Sequence, residues 1–337
     1  MRIVLKILKW IGLALLAVVV ILAAYVWRSW DRVWDAPLPD LHASTDPSII
    51  ARGEYLVFGA AHCAECHMAS AEVFERYAET GVRQPLSGGY TFAAPPLGTI
   101  YSKNLTPDRE TGIGRFTDPQ IARMLRYSVK PDGRASIRPM MPFGDMSDED
   151  IVAVVSFLRA QAPVRHAVPN AEWTIIGKVI KSLAPTFKPL TDAEIHPPQV
   201  SPPSAPTRAR GEYLVRSVAD CVSCHSPLDQ LTFAVNGPEL SGGLPMEPRA
   251  LPNVDHTLWF KPPNLTPLAG SALNRFPDRE TFVARFQKGG RKYPATPMPW
   301  DSFALMTADD IGAIYEYLHS LPPAGQPSPQ EPTVKVE

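Results

Sequence analysis

The hydrophobic pattern is strongest near the N-terminus, where residues 10–27 form an apolar run of 18 residues without a charged side chain. Such a run makes about 27 Å of helix at about 1.5 Å per residue, close to the thickness of a bilayer's hydrocarbon core. Tryptophans lie at both ends of the run, as in the aromatic belts of membrane proteins: Trp10, Trp27, Trp30 and Trp34. The pattern predicts a transmembrane helix over residues 10–30.

A cleaved signal peptide is the alternative interpretation of this run. Ala24 does not belong to a good small-x-small cleavage site, because Leu22 stands at the preceding key position and Tyr25 follows. We therefore expect a retained anchor that crosses the inner (cytoplasmic) membrane once and has the lipid bilayer as its partner. The basic residues 1–9 then form a cytoplasmic tip, and the bulk of the chain lies in the periplasm.

Beyond the apolar run, the sequence repeats itself. The hexapeptide R-G-E-Y-L-V at 52–57 recurs unchanged at 210–215, and the same offset of 158 relates Cys63 to Cys221. Further matched pairs follow in the same order: N-L-T-P at 104–107 and 264–267, and M-P at 141–142 and 298–299. A repeat of this length predicts two homologous domains. After the anchor, the sequence predicts a linker (residues 31–45), a first domain (46–165), a proline-rich connector (166–206), a second domain (207–325) and a tail (326–337).

Each predicted domain opens and closes with a segment of helical periodicity. The closing helices begin at Ser147-x-x-Asp150 and Thr307-x-x-Asp310, which is an aspartate version of the capping box. Clear alternation of polar and apolar residues, the mark of a strand, is missing from the sequence. The predicted fold class is therefore all-α, with the N-terminal transmembrane helix ahead of two tandem domains.

Composition narrows the possible functions. The chain has 337 residues, 45% of them apolar, so it can bury a core, and its formal net charge of -1 argues against a nucleic-acid partner. Its 37 prolines are spread along the chain, which favours a loop-rich fold with short helices. All 4 cysteines belong to two C-x-x-C-H runs, at 63–67 and 221–225, so none remains for a structural disulfide.

Two segments, 115–138 and 275–292, each carry 6 Arg or Lys residues against 2 acidic residues. The favoured interpretation is a solvated helix face. The alternative is a basic rim that pairs with acidic groups of a cofactor or a redox partner.

The C-x-x-C-H runs place two thiols and an imidazole on one face of a helical turn, at positions i, i+3 and i+4. Covalent haem attachment requires this arrangement, because the thiols add to the two porphyrin vinyl groups and the imidazole reaches the iron. The alternatives are a zinc site and a thioredoxin-like dithiol. Zinc is disfavoured because the two cysteine pairs are far apart in the sequence and each has its own adjacent histidine. The dithiol is disfavoured because the sequence lacks the βαβ pattern of a thioredoxin-like fold. The predicted attachment residues for two haem c groups are Cys63, Cys66 and His67, and Cys221, Cys224 and His225.

Methionines are the candidates for the other side of each iron. Met141 and Met298 lie 74 and 73 residues after the two histidines, and each is followed by proline. Thioether sulfur opposite imidazole favours ferrous iron and raises the reduction potential. Met146 and Met306 precede the helix N-caps at the spacing of a hydrophobic staple, which predicts a packing role. Met140 aligns with a proline in the second half, so it has no ligand counterpart there.

Taken together, R-G-E-Y-L-V, C-A-E-C-H, N-L-T-P, M-P-F and S-D-E-D-I resemble, in order and spacing, the class I c-type cytochromes. They resemble more closely the diheme cytochrome c subunits of membrane-bound bacterial dehydrogenases for alcohols and sugar acids. The resemblance covers residues 46–325. It implies haem c in each domain, with His67 and Met141 as one axial pair and His225 and Met298 as the other.

The resemblance also implies that the opening and closing helices cross. Gly53 and Gly211 lie inside the opening helices, where glycine costs about 1 kcal/mol relative to alanine. We expect these glycines to permit a close approach, with Phe157 and Tyr317 packed against them. The N-L-T loops are interpreted as supports of the haem edge through their amides or hydroxyls: Asn104 and Asn264 begin them.

The function that the resemblance implies is electron transfer. We expect a periplasmic electron carrier, not an enzyme, that passes single electrons from a partner dehydrogenase or a quinone-linked complex towards a terminal acceptor such as an oxidase. One alternative is a diheme redox enzyme of the peroxidase or thiosulfate-oxidising type, which needs an exchangeable or unusual sixth ligand. Another is the cytochrome c subunit of a terminal oxidase. Equivalent M-P motifs in both halves favour the carrier.

Overall fold

The computed structural model describes residues 1–229, 232–249 and 254–329, together with the backbone of residues 333–335. The α-helices are α1 Arg2–Ser29, α2 Pro47–Phe58, α3 Cys63–His67, α4 Ala71–Thr80, α5 Asp118–Tyr127, α6 Asp148–Ala160, α7 Ile175–Leu183, α8 Arg208–Tyr213, α9 Cys221–His225, α10 Arg279–Gln287, α11 Trp300–Phe303 and α12 Ala308–His319. The strands are β1 Thr91–Ala94, β2 Gly98–Tyr101, β3 Glu172–Trp173, β4 Leu258–Phe260 and β5 Thr333–Lys335. Short 3-10 turns lie at Ile113–Arg115, Arg138–Met140, Pro185–Phe187 and Leu273–Arg275, and a π turn continues α8 over Leu214–Val218.

The N-terminal helix α1 includes the predicted basic tip, so the helix begins at residue 2 and not at residue 10. None of its residues is buried against the rest of the chain. Its most apolar 18-residue window has a mean hydropathy of 2.6. By length and composition α1 can cross a membrane, and a signal sequence has the same properties.

The expected helix crossing is confirmed in both halves of the chain. A Cβ atom added to Gly53 would lie 1.9 Å from the carbonyl oxygen of Ala153 on α6 and 2.8 Å from Phe157 Cβ. A Cβ at Gly211 would lie 1.9 Å from the carbonyl oxygen of Ala313 on α12. Side chains of any size would therefore push the opening and closing helices apart, and glycine is needed because the backbones touch.

The predicted capping boxes are half formed. Ser147 Oγ accepts a hydrogen bond from the Asp150 amide at 3.1 Å, and Thr307 Oγ1 does the same for the Asp310 amide at 3.1 Å. The carboxylates do not reach back to the N-cap amides. Instead, the Asp150 carboxylate accepts two hydrogen bonds from the Arg52 guanidinium, at 2.9 and 3.0 Å. Such charge-assisted bonds are shorter and stronger than a bond between a carboxylate and a neutral backbone amide.

The same carboxylates join the two halves of the chain. The Asp310 carboxylate accepts two hydrogen bonds from Arg210 of its own half, at 2.8 and 2.9 Å. It also accepts one from the Tyr55 hydroxyl of the other half, at 2.6 Å. Asp150 receives the Tyr213 hydroxyl at 2.7 Å. Burial raises the pKa of Tyr55 to about 12, and the Asp310 charge adds to the shift. The phenol therefore stays a hydrogen-bond donor at neutral pH.

The all-α prediction is wrong for the loops. β1, β2 and β3 form an antiparallel sheet in that order, and β4 pairs with β5. These strands have four residues or fewer, too few for alternation to show in the sequence. Gly98, with φ of 130°, allows β3 to approach, since a Cβ there would lie 1.9 Å from the Glu172 oxygen. The segment predicted as a tail contributes β5 and also contacts the second half. There, Ser328 Oγ accepts a hydrogen bond from the backbone amide of Asn264 at 3.0 Å.

The prediction of solvated basic helix faces is wrong for part of α5. Arg126 is buried and donates to the carbonyl oxygens of Gly144 and Met146, both at 2.6 Å. Arg123 is also buried and donates to the Lys130 oxygen at 3.0 Å. These arginines close loops inside the first half, which a charge count cannot reveal.

We expect Gly211→Ala to lower the free energy of unfolding by about 3 kcal/mol, because the added methyl group would overlap the Ala313 carbonyl and force α8 and α12 apart. Urea denaturation of the full chain in detergent, followed by far-ultraviolet circular dichroism, measures the change. Gly312→Ala is the matched control, since its Cβ would meet only side-chain atoms and no backbone carbonyl, with Arg279 Cδ at 3.2 Å and Pro206 Cβ at 3.3 Å. Equal destabilisation by the two substitutions would contradict the crossing argument.

We expect Tyr55→Phe to cost about 2 kcal/mol of the free energy of unfolding, because the buried Asp310 carboxylate loses a donor. Tyr315→Phe is the control, since the Tyr315 ring packs on Phe282 with a centroid distance of 5.5 Å and this contact survives the loss of the hydroxyl. The control should change stability by less than about 0.5 kcal/mol. A loss no larger than that in Tyr55→Phe would show that the bond between the halves contributes little.

Candidate functional site

Helices α3 and α9 are the two C-x-x-C-H segments, and each forms a single helical turn. We name them the attachment turns after their predicted role. Both turns begin after a residue in the left-handed region: His62 has φ of 40° and Asp220 has φ of 52°. The chain therefore bends sharply between each opening helix and its attachment turn. As predicted, the residues at positions i, i+3 and i+4 of each turn share a helix face. These are Cys63, Cys66 and His67 in α3, and Cys221, Cys224 and His225 in α9.

The ring of each histidine in these turns is fixed by one hydrogen bond to a backbone carbonyl. His67 Nδ1 lies 2.8 Å from the Lys103 oxygen, and His225 Nδ1 lies 2.8 Å from the Pro263 oxygen. Because a carbonyl oxygen only accepts, Nδ1 carries the hydrogen and Nε2 keeps its lone pair. Burial lowers the pKa of both imidazoles, so each is neutral at pH 7 and able to bind a metal through Nε2.

The carbonyls that hold the histidines come directly before the repeated N-L-T-P loops. Asn104 is buried, accepts from the Thr106 amide at 2.9 Å, and donates to the Val164 oxygen at 2.9 Å. Asn264 has equivalent bonds, to the Thr266 amide at 2.7 Å and the Ala324 oxygen at 2.7 Å. These side chains therefore bind the chain itself, and their role is to fix the loop behind the histidine. The repeat pointed to these loops, but sequence reasoning missed the two carbonyls.

The four thiols are free of disulfide bonds. Burial raises the pKa of Cys63, Cys66, Cys221 and Cys224 to about 12. They are therefore neutral thiols at pH 7. Each turn thus presents two thiols and one imidazole with a free Nε2, a donor set that fits a covalently attached porphyrin with an iron ligand.

The candidate methionines differ in burial. Met141 directly follows the 3-10 turn Arg138–Met140. Both Met141 and Met298 are half-buried against the apolar core that Cys63 and Cys221 also contact. Met140 is 41% exposed. Met146 and Met306 are 1% and 2% exposed, which confirms their predicted packing role.

The first attachment turn is tied to the second half of the chain. Glu65, between the two cysteines, is buried, and its carboxylate accepts hydrogen bonds from Arg291 Nη2 at 2.9 and 3.1 Å. Arg291 also pairs with Asp301. Burial raises the pKa of Glu65, and the Arg291 charge opposes this rise. At the equivalent position of the second turn, Ser223 donates to Asp220, whose pKa burial raises to about 7. The two turns therefore have different electrostatic surroundings.

The zinc alternative needs the two cysteine pairs to converge. They lie in separate helices of different halves, α3 and α9. Within the part of the chain that the structure describes, no group of three or more His, Cys, Asp and Glu side chains is arranged to hold a metal ion. Each cysteine pair instead lies beside its own histidine, in its own turn.

Comparison with known proteins gives the family. Residues 50–162, which include the first attachment turn, match the family model for cytochrome c. The chain is 31% identical over 300 residues to the cytochrome c subunit of the quinone alcohol dehydrogenase of Gluconobacter oxydans (strain 621H), covering 82% of the chain and 55% of that protein. It is 29% identical over 294 residues to the fructose dehydrogenase cytochrome subunit of Gluconobacter japonicus, covering 85% and 55%. The chain thus spans about half the length of these two relatives.

A shorter relative is matched over most of its length. The chain is 30% identical over 228 residues to a diheme cytochrome c-type protein of Cereibacter sphaeroides, covering 62% of the chain and 71% of that protein. Because a cytochrome c domain implies covalently bound haem c, the match agrees with the thiols and the Nε2 atom found in the attachment turn. The chain belongs to the cytochrome c family.

Proposed function

We propose that the chain is a membrane-anchored diheme cytochrome c that carries single electrons in the periplasm. The observation that carries the proposal is the equivalence of the two attachment turns, each of which holds its histidine through Nδ1 at 2.8 Å from a backbone carbonyl. This equivalence supports the proposal of two tandem cytochrome c domains, at 46–165 and 207–325. α1 is the anchor, and residues 31–45, 166–206 and 326–337 are the linker, the connector and the tail.

The proposed roles of the site residues follow from their chemistry. Cys63 and Cys66 in the first half form thioethers, as do Cys221 and Cys224 in the second. His67 and His225 bind iron through Nε2, whose lone pair the Nδ1 hydrogen bond directs outwards. Met141 and Met298 would hold the same irons through their thioether sulfur atoms. Haem c, when bound, supplies a one-electron couple between ferrous and ferric iron.

Electron transfer, and not catalysis at an open iron, is favoured by the two methionines. Met141 and Met298 occupy equivalent places, each followed by proline and each half-buried at the core. A methionine sulfur bound to each iron would leave no coordination site open, whereas a peroxidase or a thiosulfate-oxidising cytochrome needs an exchangeable or unusual ligand. The cytochrome c subunit of a terminal oxidase is the remaining alternative, and it shares the same haem chemistry.

The proposed electron donor is a dehydrogenase at the periplasmic face of the inner membrane. The relatives named as cytochrome subunits of alcohol and fructose dehydrogenases support this choice. A quinone-linked complex is the alternative donor, and the proposed acceptor is a terminal acceptor such as an oxidase in the membrane that the proposed anchor would cross. The chain itself makes and breaks no bond of a substrate.

We expect two haem groups per chain that acid acetone does not extract. The double variant Cys221→Ala, Cys224→Ala should halve the haem-to-protein ratio, because the second porphyrin loses both thioethers. The pyridine haemochrome assay measures the ratio. Ser223→Ala, between the same cysteines, is the control and should keep two haems. An unchanged ratio in the double variant would exclude haem attachment at α9.

We expect the fully reduced protein to bind little carbon monoxide at neutral pH, since both irons are six-coordinate. Met141→Ala and Met298→Ala should each open one iron to carbon monoxide and lower the reduction potential of that haem. Optical titration with carbon monoxide and redox potentiometry measure the two effects. Ready binding to the unmodified protein would favour the enzyme alternative.

Met140→Ala and Met306→Ala are the controls for this assignment, and both irons should remain six-coordinate and low-spin in them. The ferric protein should keep its methionine-to-iron charge-transfer band at full strength in both. A band that persists at full strength in Met141→Ala but falls by half in Met140→Ala would show that Met140 is the ligand.

A further inference from the structure

Helix α7, in the proline-rich connector, exposes its apolar side. Two of its isoleucines, its valine and its leucine fall on one arc of the helix because they lie at positions i, i+1, i+4 and i+8. Helices on the surface of a soluble protein turn such an arc towards the core. Here the arc faces outwards, with these exposed fractions: Ile175 82%, Ile176 57%, Leu183 54% and Val179 37%.

The opposite side of α7 packs against the protein. A Cβ at Gly177 would lie 2.1 Å from the Leu97 carbonyl oxygen, so the backbone of α7 touches the turn between β1 and β2. Lys181 is on this inner side, with only 8% of its side chain exposed. A buried lysine beside exposed isoleucines reverses the usual amphipathic order. Burying an ammonium group costs more free energy than burying an alkyl chain. A helix surrounded by water on its outer side would therefore be expected to face the other way.

The inner side of α7 is attached to the end of α1. Lys178 Nζ lies 4.6 Å from the centroid of the Trp30 ring, and Lys181 Nζ lies 3.5 Å from Asp31 Oδ1. Asp31 also receives Arg134 Nε at 2.8 Å. Trp30 is the residue directly after the last residue of α1. These contacts hold α7 at the level where the apolar helix ends.

We propose that the exposed apolar arc of α7, formed by Ile175, Ile176, Val179 and Leu183, lies in the headgroup region of the bilayer that α1 crosses. The inference rests on the proposed anchor role of α1. If α1 spans the bilayer, its terminal tryptophan lies at the interface, and a helix fixed to that tryptophan lies at the same depth. An apolar arc at this depth gains free energy by leaving water for the boundary of the acyl chains.

The bilayer is favoured over a protein partner as the occupant because large apolar side chains on either side of Trp30, the residue that holds α7, are also exposed. Trp27, at the end of α1, is 83% exposed, and Val33, just beyond it, is 60% exposed. A second membrane contact beside the anchor would stop the globular part from rotating freely about α1. The attachment turns would then keep a fixed orientation relative to the membrane.

A fluorescence experiment on the full haem-loaded chain tests this arrangement. The chain is reconstituted in nanodiscs of phosphatidylethanolamine and phosphatidylglycerol, with or without bromine on the acyl chains. Ile175→Cys, Val200→Cys and Val19→Cys, each in a separate chain, carry an environment-sensitive fluorophore on the new thiol. Val200 is the matched control because it is 66% exposed and lies outside α7, and Val19 reports on α1. The ratio of emission in the two lipids cancels any quenching by haem.

We expect brominated lipid to reduce emission from position 175 by about two-fold or more, as for position 19, and to leave position 200 unchanged. Quenching at 19 with equal emission ratios at 175 and 200 would overturn the inference and leave the anchor intact. That result, combined with protection of position 175 in native membranes, would assign the arc to a protein partner instead. No quenching at 19 would remove the anchor from the proposed function, and the inference with it.

Discussion

Two buried carboxylates, Asp150 and Asp310, organise this protein. A buried charge is stable only when it is paired and hydrogen-bonded, and each carboxylate meets this need with donors from both halves. Arg52 and Arg210 come from the opening helix of the same half, and tyrosines come from the other half. Each N-terminal end of a closing helix is thereby fixed to two opening helices at once. The crossing at glycine and the contact between the halves depend on these bonds.

This arrangement explains how the attachment turns are positioned. The opening helix leads directly into the turn, so fixing α2 against α6 also fixes α3, and the same holds for α8, α12 and α9. The loop behind each turn is fixed separately, through buried asparagines that bind the chain beyond the closing helix. Each histidine is therefore held between two independently anchored segments. Such rigidity suits the proposed electron carrier, because iron ligands that move little need little reorganisation when the iron changes its oxidation state.

The halves are similar in backbone but not in electrostatics. Glu65 in the first turn pairs with Arg291 from the second half, whereas the second turn has Ser223 and the protonatable Asp220. Charges close to an iron shift its reduction potential, so the two proposed haems would differ in potential. α7 and the proposed anchor α1 are linked through Trp30 and Asp31. In the proposed membrane arrangement, this link would give the path between the proposed donor and acceptor a defined orientation.

The sequence alone determined the parts of this protein that are encoded locally or by repetition. The apolar run, the C-x-x-C-H spacing, the duplicated methionine-proline pair and the glycines of the opening helices all follow from short patterns, because a helix brings nearby residues onto one face. Only the tertiary structure decided which groups meet across long separations. In the folded chain, the aspartates of the capping boxes bind arginine and tyrosine, and the Lys103 and Pro263 carbonyls lie behind the histidines. The short strands pair with each other, and the apolar side of α7 faces outwards. These features depend on partners distant in the chain, and a pattern within one segment carries no information about them.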